Sequence, residues 1–257
     1  MTVNLVQNPN NTSSFVDSST ARELLILDPN VGAYKPMRSF VEFSDDFLGD
    51  ALDARWNPTA GGNSPAAAPA ISVAAQGIAR LTSGDATGAF SDEGSCLAHE
   101  LNWKANQGGL FMEARVRINT AVTNIGLNVG FTDTKAIEEP FSISGTTITS
   151  NATDAACFVF DTDQTTDVFM LQGVKADTNT ALTSSAVAPV ADEWIRLAVA
   201  LDTSGSAFFY INGVLKGSVA NAVTATVALT PVITVAPRTT TSKVVDVDYV
   251  VVRSLRA

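Results

Sequence analysis

The sequence predicts an all-β protein, an antiparallel β-sandwich behind an extended N-terminal arm, and three observations predict it. Apolar and β-branched runs of strand length recur roughly every 8 to 15 residues, with turn-forming residues between them. No amphipathic pattern of three helical turns appears anywhere in the 257 residues. The third observation is local. Trp194 to Leu201 is an apolar run carrying only Arg196, and the cluster Asp202-Thr203-Ser204-Gly205-Ser206 ends it. Ala207 to Ile211 is aromatic and β-branched, and Asn212-Gly213 comes next. That pair suits a two-residue hairpin because both central positions of a type I′ turn need positive φ. Three strands joined by two tight turns form a meander, which must bury one face against a partner sheet.

Residues 1–39 differ in character from the rest of the chain. Asn8-Pro9-Asn10-Asn11-Thr12-Ser13-Ser14 is polar and aperiodic. Leu24 to Leu27 reads either as a strand or as one helical turn capped by Thr20, with Glu23 three residues on. Asp28-Pro29-Asn30 ends it in both cases. Such a segment is a disordered leader or an arm that orders on a neighbouring subunit. Leu24, Leu25, Ile26 and Leu27 need burial and favour the arm.

Residues 40–257 read as one sandwich domain. Val41 and Phe43 alternate with Glu42 and Ser44 in a first strand, and Asn57 to Pro69 is a Gly-, Pro- and Ala-rich loop. Ile71 to Ala75 and Ile78 to Leu81 make a hairpin around Gln76-Gly77; Ser83 to Ser95 is a Gly- and Asp-rich loop, and Cys96 to Leu101 returns as a strand. In Leu110 to Ile118, the residues Leu110, Met112, Ala114, Val116 and Ile118 fall on one side, assigned to the core. Asn124 to Thr132 alternates strictly through Ile125, Leu127, Val129 and Phe131. Thr134 to Asp154 is a long polar insertion, of a size expected to bind something or to pair as an extra hairpin. Ala155 to Asp161 and Val168 to Val174 form another hairpin, Thr178 to Val190 is a connection, and Val223 to Val235 and Lys243 to Arg253 close the domain.

Composition narrows the function. A net charge of −10 with no basic stripe argues against nucleic acid. No apolar run approaches the roughly 18 residues of a membrane-spanning helix. The start, MTVNLVQNPNNTSSF, has neither a positive nor an apolar region of the kind signal peptides carry, so synthesis is expected in the cytoplasm. Cys96 and Cys157 read as buried free thiols; a disulfide needs their strands to be neighbours.

The Trp-x-Arg-Leu strand and the later Phe-Tyr-Ile-Asn-Gly-Val-Leu resemble the late hairpins of concanavalin A-like (laminin G-like) jelly rolls. Phe111 to Ile118 is similar to the strand that opens one sheet of that fold, and Val245 to Val252 to the closing strand. The resemblance implies a fold that hosts enzymes, lectins and structural modules. The glucanases among them carry Glu-x-Asp-x-x-Glu on one strand, a spacing this chain lacks. Glu113-Ala114-Arg115 departs at the second acid, and Glu138-Glu139-Pro140 lies in a loop where adjacent residues point apart. His99 stands alone, with no Gly-x-Ser-x-Gly, so it reads as structural. The expectation is therefore that the protein is not an enzyme.

Two binding readings remain. Asp161, Asp163 and Asp167 offer hard oxygen ligands in a tight loop and raise a calcium site, although Thr166 and Gln172 stand where an EF-hand needs glycine and glutamate. No other cofactor is expected. Trp56 and Trp103, near loops, are candidates for stacking on a glycan, whereas Trp194 opens a core strand. The Ala/Thr/Val-rich, Lys-poor strands and the opening Asp45-Asp46-Phe47-Leu48-Gly49-Asp50 resemble jelly-roll modules of tailed-bacteriophage virions. That resemblance implies a virion structural protein, a capsid decoration or cement protein. It would be made in the host cytoplasm and held on the major capsid protein or other virion subunits by residues 1–39 and their Leu24–Leu27 patch, as a homo-oligomer, a trimer first. The alternative is a lectin-like carbohydrate-binding module, a head or tail fibre component, for adsorption to host glycans.

Overall fold

The computed structural model describes residues 41–72, 76–119 and 121–255 with their side chains and, before them, the backbone of four strands. These four, β1 (Val3–Gln7), β2 (Ser13–Asp17), β3 (Leu24–Asp28) and β4 (Ala33–Pro36), pair in sequence as an antiparallel sheet. Of the two readings of Leu24 to Leu27, the backbone is therefore a strand. The side chains of Leu24, Leu25, Ile26 and Leu27 lie outside the described residues, and with them the anchoring role.

Residues 42–254 form a separate compact unit. Its strands are β5 (Phe40–Asp45), β6 (Asn57–Ala60), β7 (Ala67–Val73), β8 (Ile78–Thr82), β9 (Ser95–Ala98), β10 (Leu110–Asn119), β11 (Ile125–Thr132), β12 (Phe141–Ser144) and β13 (Thr147–Ser150). They continue with β14 (Ala155–Asp161), β15 (Met170–Lys175), β16 (Thr178–Asn179), β17 (Thr183–Ser184), β18 (Ile195–Leu201), β19 (Ala207–Ile211), β20 (Val214–Val219), β21 (Thr230–Pro237) and β22 (Val244–Leu255). A single helical turn, α1 (Phe90–Glu93), interrupts the loop before β9.

Two antiparallel sheets make the sandwich. The first runs β20-β19-β18-β10-β22-β8-β7, with β5 also on β22. The second runs β16-β15-β14-β11-β21-β9-β6, with β17 also on β15. Strand β10 alternates buried and half-buried along its whole length, with Leu110, Met112, Ala114, Val116 and Ile118 inward. They face Ile125, Leu127, Val129 and Phe131 of β11 in one core, which also holds Phe158, Phe160 and Phe209. Asn212 and Gly213 both have positive φ, 52° and 80°, as the β19–β20 turn requires. The strand expected from Val223 begins only at Thr230, after a turn whose Val227 amide donates to Thr224.

The polar insertion supplies the feature that matters most. Its middle pairs as the hairpin β12–β13, with Phe141 opposite Ser150 and Ser144 opposite Thr147. Phe141, Ile143 and Ala152 are buried with Cys96, Ala98, Cys157, Val159, Val174 and Val232 in a second apolar cluster. The second sheet is thus covered on both faces, which is why β11, β14 and β21 are buried at every residue. Both cysteines are free and buried there.

Candidate functional site

At one edge of the β12–β13 hairpin lies a cavity of ≈ 510 Å³. Three structures converge on it: the ends of β14 and β21, the hairpin, and the loop that carries α1. The strand ends deliver Asp161 and Arg238, which meet because β11 lies between β14 and β21 and pairs with both. Arg238 donates to Asp161 through Nε (2.9 Å) and Nη2 (2.7 Å), and Nη2 also donates to Glu139 Oε1 at 2.6 Å. The guanidinium lies over Gly126 of β11, where any Cβ would collide with it. Only glycine leaves that space.

Asp161 is fully buried. Besides Arg238, its carboxylate accepts from the amide of Ile143 (2.9 Å) and from the amide of Asp163 (3.1 Å). It therefore ties the hairpin to the strand end. The hairpin tip is held again by Gly145, whose amide donates to Asp163 O (2.8 Å) and whose carbonyl accepts from Thr165 (2.9 Å). Glu139 is buried too, and one arginine cannot neutralise two buried carboxylates. Burial, opposed by Arg238 and reinforced by Asp161 and Asp163, pushes Glu139 up to about 7. The two acids in turn raise Arg238 and keep it charged. Asp163 is half-exposed; partial burial and neighbouring Asp161 raise its carboxyl.

The rest of the lining is hydroxyl and amide. Ser142 and Ser144 on β12 face outward, because their neighbours Phe141 and Ile143 face the second core. Thr149 and Thr147 stand opposite them on β13. Asn151 and Thr87 complete that wall, and Phe90 supplies a half-buried ring. Gly94 makes room for the ring: a Cβ there would stand 2.5 Å from its Cζ. The α1 loop is pinned from inside by buried Glu93, which accepts from Asn63 Nδ2 (2.5 Å) and the amide of Ala86 (3.3 Å).

The residues named from the sequence fall in different places. Trp56 and Trp103 are each only 6 % exposed, so neither is a surface platform for a glycan. Trp56 packs edge-on to Phe43 and His99 and donates to Asp45 Oδ2 at 2.7 Å. Trp194, expected in the core, is half-buried outside it, with the guanidinium groups of Arg115 (4.9 Å) and Arg117 (4.7 Å) over its ring. The three aspartates do not converge: Arg238 holds Asp161, while Asp167 is exposed. Among the described residues no three acidic, histidine or cysteine side chains gather as metal ligands. His99 is buried, and burial lowers its imidazole from the ordinary value. Arg238 and Glu139 were missed as a pair, since 99 residues separate them. The readable signal was a lone arginine directly after a strand that ends in proline.

No family model matches the chain, and no curated protein matches it. Solved structures do. The carbohydrate recognition domain of Emp47p superposes with a TM-score of 0.57 at 8 % identity, covering 87 % of this chain and 100 % of that one. The β-glucanase of Bacillus licheniformis gives 0.55 at 13 % identity, covering 84 % and 98 %. A structure from work on endo-acting O-glycanases of human gut bacteria gives 0.58 at 11 % identity, covering 84 % and 99 %. At these identities the likeness is one of fold, the concanavalin A-like jelly roll. None of the three is described as a virion component. The expectation that the chain is not an enzyme is withdrawn. Its fold is shared with glycoside hydrolases, and the argument from a missing linear motif fails where folding brings Glu139 and Asp161 to the same guanidinium nitrogen.

Proposed function

We propose that the domain is a carbohydrate-binding jelly roll whose glycan site is the cavity beside Arg238. The observation that carries this reading is the lining: paired hydroxyls on β12 and β13, the Asn151 amide, charged groups locked in place, and one aromatic ring. Sugar hydroxyls need alternating donors and acceptors, and a ring face suits the apolar side of a pyranose. A volume of ≈ 510 Å³ falls in the range of small-molecule sites. The likeness to a carbohydrate recognition domain supports the same class. A glycan array followed by calorimetry tests it. Phe90→Ala and Ser142→Ala are expected to abolish or weaken binding; the melting curve of Ser142→Ala stays close to that of the parent, while Phe90→Ala, whose ring packs on the second apolar cluster, melts lower but remains folded. Binding untouched by both substitutions would refute this location.

A second reading, glycoside hydrolysis in the same cavity, is favoured by one observation. Glu139 holds a proton near neutrality, and Asp161 bonds the same nitrogen, which sets their oxygens at most about 5 Å apart. Glu139 is the candidate acid toward a leaving oxygen and Asp161 the candidate carboxylate partner. Release of reducing sugar from a polysaccharide panel, lost in Glu139→Gln, is the expected result; no release from any polymer would dismiss it.

A further inference from the structure

The cavity's charges are unequal. Glu139, Asp161 and Asp163 border it with a single cation, Arg238. That cation is engaged from both sides: Nε and one Nη2 hydrogen go to Asp161, and Nη2 also goes to Glu139. Its charge is therefore already offset by Asp161, although an arginine in a sugar site would ordinarily be read as a receptor for a carboxylate or sulfate. Asp163 has the opposite character. Its side chain is 53 % exposed, and its contact with Arg238 is long, 3.9 Å. Its amide and carbonyl are spent within the turn, on Asp161 and on the hairpin tip, and these fix where the carboxylate stands. Among the described residues no side chain donates a closer hydrogen bond to it.

We infer that the site selects cationic over anionic sugars, taking glycans with free amino groups, such as glucosamine units, through Asp163, and rejecting uronate- or sialate-bearing ones. This deepens the glycan reading and rests on it. An ammonium on the sugar meets an exposed carboxylate that no close partner neutralises, while an anionic sugar meets surplus negative charge, the one lining cation being already offset by Asp161. Because Asp163 is half-exposed, the gain is modest, roughly fivefold in affinity.

Calorimetry on the full chain with a chito-oligosaccharide in its N-acetylated and deacetylated forms, and with an oligoglucuronate of equal length, is the test. The deacetylated form is expected to bind roughly fivefold tighter than the acetylated one at low salt, and the uronate more weakly than the acetylated one. Asp163→Asn is expected to erase that difference, so that the two forms bind alike; the side chain is exposed, so the fold is expected to persist, and a melting curve checks it. If the acetylated sugar binds and the deacetylated one binds no better, or if the difference survives Asp163→Asn, the inference fails and the glycan reading stands. Tight uronate binding also overturns it alone. If no sugar on a broad array binds, both fall together.

Discussion

Gly126 sits directly beneath Arg238: a methyl group on it would stand 2.6 Å from the guanidinium carbon. The arginine cannot move outward without leaving Asp161 and Glu139. Gly126→Ala is therefore expected to cost about 2 kcal/mol, as overpacking at a rigid site does. Urea melts of the two proteins measure this directly, and an unchanged midpoint would refute it.

Removing the cation should cost more than crowding it. Arg238→Met leaves Asp161 fully buried with only the amides of Ile143 and Asp163 as donors. A loss of about 3–5 kcal/mol is expected, the usual penalty for orphaning one side of a buried ion pair. The loss is expected to be larger at pH 8 than at pH 5, because protonation relieves Glu139 at the lower pH.

Stability should depend on pH through Glu139. Its folded value of about 7 lies above the ordinary 4.5, so between those limits the folded state holds a proton that the unfolded chain has released. Stability therefore falls as pH rises through this window and levels off above it; the total from this group is about 3 kcal/mol. Raised carboxyls at Glu138, Asp133 and Asp163 act in the same direction. Glu139→Gln is expected to flatten the slope between pH 4.5 and 7 in denaturant titrations, and an unaltered slope would rule Glu139 out as its source.

Both thiols are shut away. Burial pushes Cys96 up to about 12 and raises Cys157 as well, so neither is a thiolate at neutral pH. Ellman's reagent should find no thiol in the native protein and two after denaturation. One fast-reacting native thiol would contradict the second core.

Fluorescence quenching separates the tryptophans. Acrylamide should reach only half-buried Trp194, leaving the emission of Trp56 and Trp103 largely protected. Quenching of all three alike would place Trp56 or Trp103 at the surface.

The sequence disclosed some of these features and hid others. Period-two alternation in Leu110 to Ile118 named the inward residues, because one face of β10 meets the core and the other stays half-buried. The Asn212-Gly213 turn was legible because its backbone conformation selects those residues. Trp56 and Trp103 were misplaced because nearness to loops along the chain says nothing about burial. Their rings turn inward onto Phe43 and His99. The cavity was invisible for a different reason. Glu139, Asp161 and Arg238 come from a loop and two strand ends, and only the insertion of β11 between β14 and β21 brings them together. A search for adjacent acids on one strand cannot find them.

The hairpin over the second sheet leaves three of its strands, β11, β14 and β21, shut away from water. Ala155 to Asp161 has no wet side, so a nascent chain that reaches this point before β12–β13 folds back exposes a dry ribbon with unpaired edges. Excising residues 139–152 would then yield not a trimmed domain but a self-adhesive one.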